Sequence, residues 1–93
     1  MNDSMKAQVK STLAALAAKA PGRSVEVRIP GYAAIQCIPG VQHRRGKPSA
    51  VVQMDAQTWL DLASGAISWA QAMGSGKVHA SGERSDLSPW LPL

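Results

Sequence analysis

Only one cysteine, Cys37, occurs among the 93 residues, so no intrachain disulfide can form. It sits in the apolar run Ala33–Ile38. There it reads as a buried, inert thiol rather than a nucleophile, because reactive cysteines need an electropositive and partly exposed setting. A lone thiol with no secretory signal before it fits a reducing cytoplasm. The signal is missing because the first ten residues carry Asp3 and no apolar h-region. No apolar run approaches the ~18 residues of a membrane span, so no integral membrane segment is expected. Aromatic residues make up 4% of the chain. Tyr32 alone lies near the basic residues, which argues against a nucleic-acid surface, where stacking aromatics accompany the cations. Charged residues are 17%, with a net charge of +4; a balance this small fits an anionic partner or simple solubility equally well.

What is present is globular. Hydrophobic residues are 45%, and a single domain spanning residues 1–93 is expected. A chain this size buries roughly 60–65% of its unfolded surface, so its core is modest. Met5–Lys19 reads as an amphipathic helix: Met5, Val9, Leu13, Leu16 and Ala20 recur at three- and four-residue spacing. Asn2, Asp3 and Ser4 offer N-caps, and Pro21-Gly22 stops the helix. Prolines then fall at 21, 30, 39 and 48, the first three each followed by glycine. Pro fixes φ and Gly accepts positive φ, so each pair permits a tight reversal between short strands.

Three strands follow from alternation. Val25, Val27 and Ile29 share one face, with Glu26 and Arg28 opposite. Ala33, Ile35 and Cys37 share another, and "SAVVQM" supplies the third strand. After Met54 the period becomes helical. Asp55 caps a helix carrying Trp59, Leu62 and Ala63 on one face, ended by Gly65. Ser68 caps a shorter one with Trp69, Ala72 and Met73, stopped by Gly74. "KVHAS" returns to strand, with Val78 and Ala80 opposite Lys77, His79 and Ser81, and Ser88-Pro89 starts one helical turn near the tail. Segregated strands and helices predict an α+β fold: an antiparallel sheet of about four strands with helices mainly on one face.

The chemistry-bearing patterns are weak. In "AMGSGKVHASGE" a phosphate loop would need Gly at 71 and Ser or Thr at 78, where Gln71 and Val78 stand. A dinucleotide loop would need a third glycine at His79. His79 and Ser81 share a strand face, but no nucleophile elbow or triad pattern accompanies them. Two histidines and one cysteine at long separations form no metal set. No cofactor, catalytic group or metal is predicted. The loop "HRRGK" admits two readings: His43, Arg44, Arg45 and Lys47 hold an acidic head group, or they form a solvated loop whose charges prevent edge pairing. Trp59, Trp69 and Trp90 also admit two: plain core, or the lining of an apolar pocket with Leu62, Met73 and the tail.

The run from Thr58–Ala63 through Ser64-Gly65, Ser68–Met73, Gly76-Lys77 and Val78–Ser81 to Gly82-Glu83 resembles the second half of the sterol carrier protein type-two family. "PGYAAIQC", "HRRG", "TWL" and "ASGERSDLSPWLPL" are similar to segments of its short actinobacterial members. The resemblance is strongest over residues 23–93. It implies a layered α+β domain with a hydrophobic cavity between sheet and helices, and non-enzymatic carriage of lipids, fatty acyl chains or sterols. On that resemblance an apolar ligand would contact Ile35, Cys37, Val52, Trp59, Leu62, Trp69, Met73 and Trp90, with His43, Arg44, Arg45 and Lys47 near its head group. Family domains also serve as accessory modules, so the alternative is an accessory or dimerisation domain with a reduced cavity, packed against itself or a partner enzyme.

Overall fold

Helix α1 occupies Asp3–Lys19, and its apolar stripe behaves as the spacing demands: Val9, Leu13, Leu16 and Ala20 are buried while the lysines stay in solvent. A computed structural model describes residues 3–40, 50–82 and 85–93 of the protein. The strands are β1 (Val25–Ile29), β2 (Ala33–Cys37), β3 (Ala50–Met54) and β4 (Val78–Gly82). Between β3 and β4 stand α2 (Ala56–Ser64) and α3 (Trp69–Gly74), and a single 3-10 turn covers Ser88–Trp90.

The four strands form one sheet in the order β2-β1-β3-β4. The β1–β2 hairpin and the β3–β4 pair are antiparallel. The β1–β3 pair is parallel, with Val27 opposite Val52. The α+β class and strand number therefore stand, and the sheet is mixed at its centre. Alternation fixes which face a residue takes; it carries no information on which neighbour lies beside β1 or in which direction.

Register makes the inner face continuous. Ile35, Val27, Val52 and Ala80 line up across all four strands, and Val25 pairs with Cys37 on one side and Ala50 on the other. This face meets the helices. Helix α1 packs on β2 and α2, and α3 reaches both α2 and β4. The outer face carries Arg28, Ala34, His79 and Ser81, all exposed, and an Arg28–Glu26 ion pair at 3.1 Å. Each fully buried Val or Leu of the core contributes about 1.5–3 kcal/mol. The stripe Val9–Leu13–Leu16, together with Trp59 and Leu62, is therefore the main reason the helices stay on one face.

Local signals set the helix ends. The Asp55 carboxylate accepts from Thr58 N, and Gly65 takes the left-handed conformation at φ 86. In α3 the Ser68 side chain accepts from Gln71 N while the Gln71 side chain accepts from Ser68 N, a reciprocal capping box. At the C-terminus of α1 the chain must cross the end of β2 closely. The Ile38 N–H donates to Ala20 O at 2.6 Å and the Ile38 carbonyl accepts from Ser24 N at 3.1 Å. Ile38 itself holds φ 69, an uncommon conformation for a β-branched residue. Gly22 passes so near that a Cβ there would sit 2.2 Å from the Ile38 carbonyl oxygen.

Candidate functional site

Helices α1 and α2 run side by side and leave an open groove of about 930 Å³ between them. Its apolar lining comes from Met5, Ala7, Leu60, Ala63 and Leu93, and its polar rim includes Gln8, Ser11, Gln57 and Ser64. Thr12 lies in the same groove. Its hydroxyl oxygen accepts from Trp59 Nε1 at 2.7 Å and donates to the Gln8 carbonyl at 2.6 Å. The groove floor is thus a polar seam laid over a fully buried indole. The far end is bounded by the C-terminal residues: Leu93 N donates to Ala63 O at 3.0 Å. Lys19 Nζ donates to the carbonyls of Trp90 and Pro92 at 2.9 and 3.1 Å.

A second pocket, of about 510 Å³, opens at the N-terminal ends of α1 and α2. Met5 and Gln57 line both it and the groove, so the two spaces share a wall. Its other side is polar: Tyr32, Gln53, Asp55, Lys77 and His79. Pairing of Gln53 with His79 across β3 and β4 brings the histidine there. Tyr32 donates its hydroxyl to Met5 Sδ at 3.6 Å, which fixes the shared wall. Asp55 is already engaged as the α2 cap, accepting from both the backbone N–H and the hydroxyl of Thr58. The hydroxyl bond is the main cause holding its carboxyl below the usual 3.8.

The residues singled out from the sequence divide into three groups. Cys37, Val52, Trp59 and Leu62 come together beneath the helices and are at most 1% exposed. Burial pushes the Cys37 thiol up to about 11. Ile35, Trp69 and Trp90 are half-buried at the margins of that core. Met73 is 40% exposed and lines a different hollow, beside Val51, His79 and Ser81. His43, Arg44, Arg45 and Lys47 lie outside the described residues, as does Glu83.

His79 lines two hollows, one with Asp55 and one with Ser81. It is hydrogen-bonded to neither, so these residues do not form the relayed hydrogen bonds of a nucleophilic triad. Among the described residues no three His, Cys, Asp or Glu side chains gather as metal ligands would, and no helix is long and apolar enough to cross a membrane.

Sequence periodicity missed the groove residues for an identifiable reason. Thr12 and Leu60 each adjoin a stripe residue, Leu13 and Trp59, and look like flanking positions. Their role depends on how closely α1 approaches α2. Compared with known proteins, the chain matches over residues 2–93 the model of a family described as bacterial SCP ortholog. No curated protein matches it.

Proposed function

The chain belongs to the sterol carrier protein family, and from that premise we propose that residues 1–93 form a non-enzymatic carrier for an apolar small molecule. The ligand is a lipid, a fatty acyl chain or a sterol-like molecule. It lies in the groove between α1 and α2, over the Thr12–Trp59 seam.

The observation that supports this reading is the groove itself. Its volume of about 930 Å³ falls in the range of small-molecule sites, which are largely apolar with a few placed polar groups. Apolar burial there would supply affinity at about 25 cal/mol per Å², before the costs of ordering the ligand. Cys37, Val52 and Leu62 lie behind the seam and are closed off. A ligand reaches them only when α1 parts from α2, and the Thr12–Trp59 hydrogen bond is the polar contact that such parting breaks.

Native mass spectrometry after gentle purification, with extraction of the bound material, should reveal an apolar species. Tryptophan emission should change on titration with a fatty acyl ligand or a sterol, because Trp59 lies under the groove floor. A protein that purifies empty and whose emission ignores both ligand types would rule the carrier function out.

A further inference from the structure

Strand β4 ends the sheet, whose order is β2-β1-β3-β4. Its ladder runs to β3, and among the described residues no other backbone hydrogen bond reaches positions 78–82. In an antiparallel pair alternate residues turn both N–H and C=O away from the neighbour, so this edge presents a row of open donors and acceptors. Folded proteins commonly guard such an edge with a charge, a proline or a bulge. Val78–Gly82 holds no proline, lysine, arginine or carboxylate, and it pairs with β3 one to one, without a bulge. His79, Ser81 and Gly82 are exposed. Neither His79 nor Ser81 has a hydrogen-bond partner among the described residues. Met73, 40% exposed, lines a hollow of about 420 Å³ with Val78, His79, Ala80 and Ser81. An apolar side chain left in solvent therefore adjoins an unguarded strand edge.

We propose that β4 pairs antiparallel with β4 of a second copy of this chain, about a two-fold axis at Ala80, to make one continuous eight-stranded sheet. The strand's own pattern names the occupant. The sequence is complementary to its reverse: His79 and Ser81 stand one residue either side of Ala80, and Lys77 and Glu83 three. About that axis His79 lies opposite the partner's Ser81, a ring N–H facing a hydroxyl that can accept it. Val78 lies opposite the partner's Gly82, and Ala80 opposite its own copy. Small residues at 80 and 82 let the backbones close to the ~4.8 Å spacing of a sheet. Charge selects the direction. Antiparallel pairing leaves the two Lys77 six residues apart along the strands, about 20 Å, well beyond the ~8 Å screening length. Parallel pairing in register would set Lys77 and His79 directly against their own copies. The inference needs no ligand and does not depend on the carrier reading.

Sedimentation of the full chain over a concentration series reads the association. An edge of five residues makes a small interface, so half-dimerisation is expected at about 0.1 mM. Two like-charged variants test the register. His79→Lys/Ser81→Lys and His79→Asp/Ser81→Asp each set like charges opposite one another across the axis, and each should dimerise at least about tenfold more weakly. Mixed in equal amounts, the two should recover a one-to-one complex, because lysines at 79 and 81 then face aspartates. Both positions are exposed and unpartnered, so the variants should fold, and circular dichroism checks this. Amide shifts of the unaltered chain give a test without any variant: on dilution from high concentration they should move at residues 78–82 and at Met73. A chain that stays monomeric to about 1 mM would overturn the proposal. So would a dimer that both like-charged variants leave intact, a mixture that fails to pair, or dilution shifts confined to another surface.

Discussion

Trp59 Nε1 donates a 2.7 Å hydrogen bond to Thr12 Oγ1, joining α2 to α1 between residues 47 positions apart. Among the described residues it is the side-chain hydrogen bond that ties α1 to α2: the indole is fully buried and Thr12 half-buried. An indole N–H has no acceptor capacity and must find a partner when buried.

Thr12→Val keeps the shape of the side chain and removes that partner. Leaving the buried N–H unpaired should destabilise the fold by about 1–3 kcal/mol. Denaturant unfolding of the single variant, of Trp59→Phe and of the double variant measures the coupling. The double variant should cost less than the sum of the two singles, because the second change removes the group that the first left stranded.

Gly22→Ala should be among the most damaging single-methyl changes in the chain. The added Cβ would meet the Ile38 carbonyl oxygen at 2.2 Å, and that carbonyl is held by Ser24 N. The contact is backbone against backbone, so no side chain can move aside. A loss of at least ~2 kcal/mol is expected, at the upper end of ordinary point changes, read as a fall in Tm. Gly31→Ala, where a Cβ meets nothing within 4 Å, is the control; there only the left-handed backbone at φ 83 opposes the change.

Asp55→Ala removes the α2 cap and should cost about 1 kcal/mol. The cap also predicts a pH dependence. The Asp55 carboxyl is held below its usual 3.8, chiefly by the Thr58 hydroxyl. The unfolded chain therefore binds this proton more readily than the folded one, and the contribution is complete above the usual value. It is lost as pH falls through the lowered folded value. Asp55→Asn should keep most of the cap at neutral pH while flattening that acid limb, seen as a smaller fall in Tm between neutral and acid buffers.

Cys37 should resist alkylation in the folded protein. Its side chain is buried at 0% exposure, and burial pushes the thiol up to about 11, leaving little thiolate at neutral pH. Labelling with iodoacetamide should be slow in buffer and fast in denaturant. Rapid labelling under native conditions would mean that the seam over the core opens far more readily than its packing implies.

Lys19→Met should loosen the C-terminal residues without unfolding the domain. Lys19 Nζ holds the carbonyls of Trp90 and Pro92 at an exposed site, where such bonds contribute at most about 1 kcal/mol. Faster hydrogen exchange at the Leu93 amide, with global stability nearly unchanged, is the expected signature.

Much of this architecture follows from the chain's own local chemistry. The α1 stripe, the Asp55 and Ser68 caps, the Gly65 stop and the inward faces of β1, β2 and β4 all depend on spacing and on single-residue conformational preference. Each acts within a few residues, so each can be read without knowing what lies opposite. The same is true of the Cys37 environment, set by the apolar alternation around it. The family follows from the pattern of those same elements.

Other features depend on partners distant in sequence. Alternation fixed the face of β1 but not its parallel pairing with β3, because both neighbours satisfy the same pattern. Met73 continues an apolar helical spacing, yet it is 40% exposed, because α3 is too short and too peripheral to turn all of that face inward. The meeting of Thr12 with Trp59, and of Met5 and Gln57 with the pocket of Lys77 and His79, has no local signature. Sequence determined which surfaces are apolar and where each element begins and ends, since those are properties of neighbours along the chain. Only tertiary packing decided that two helices leave a groove between them, and that Met5 and Gln57 line both it and the neighbouring pocket, because that is set by how closely elements remote in sequence approach.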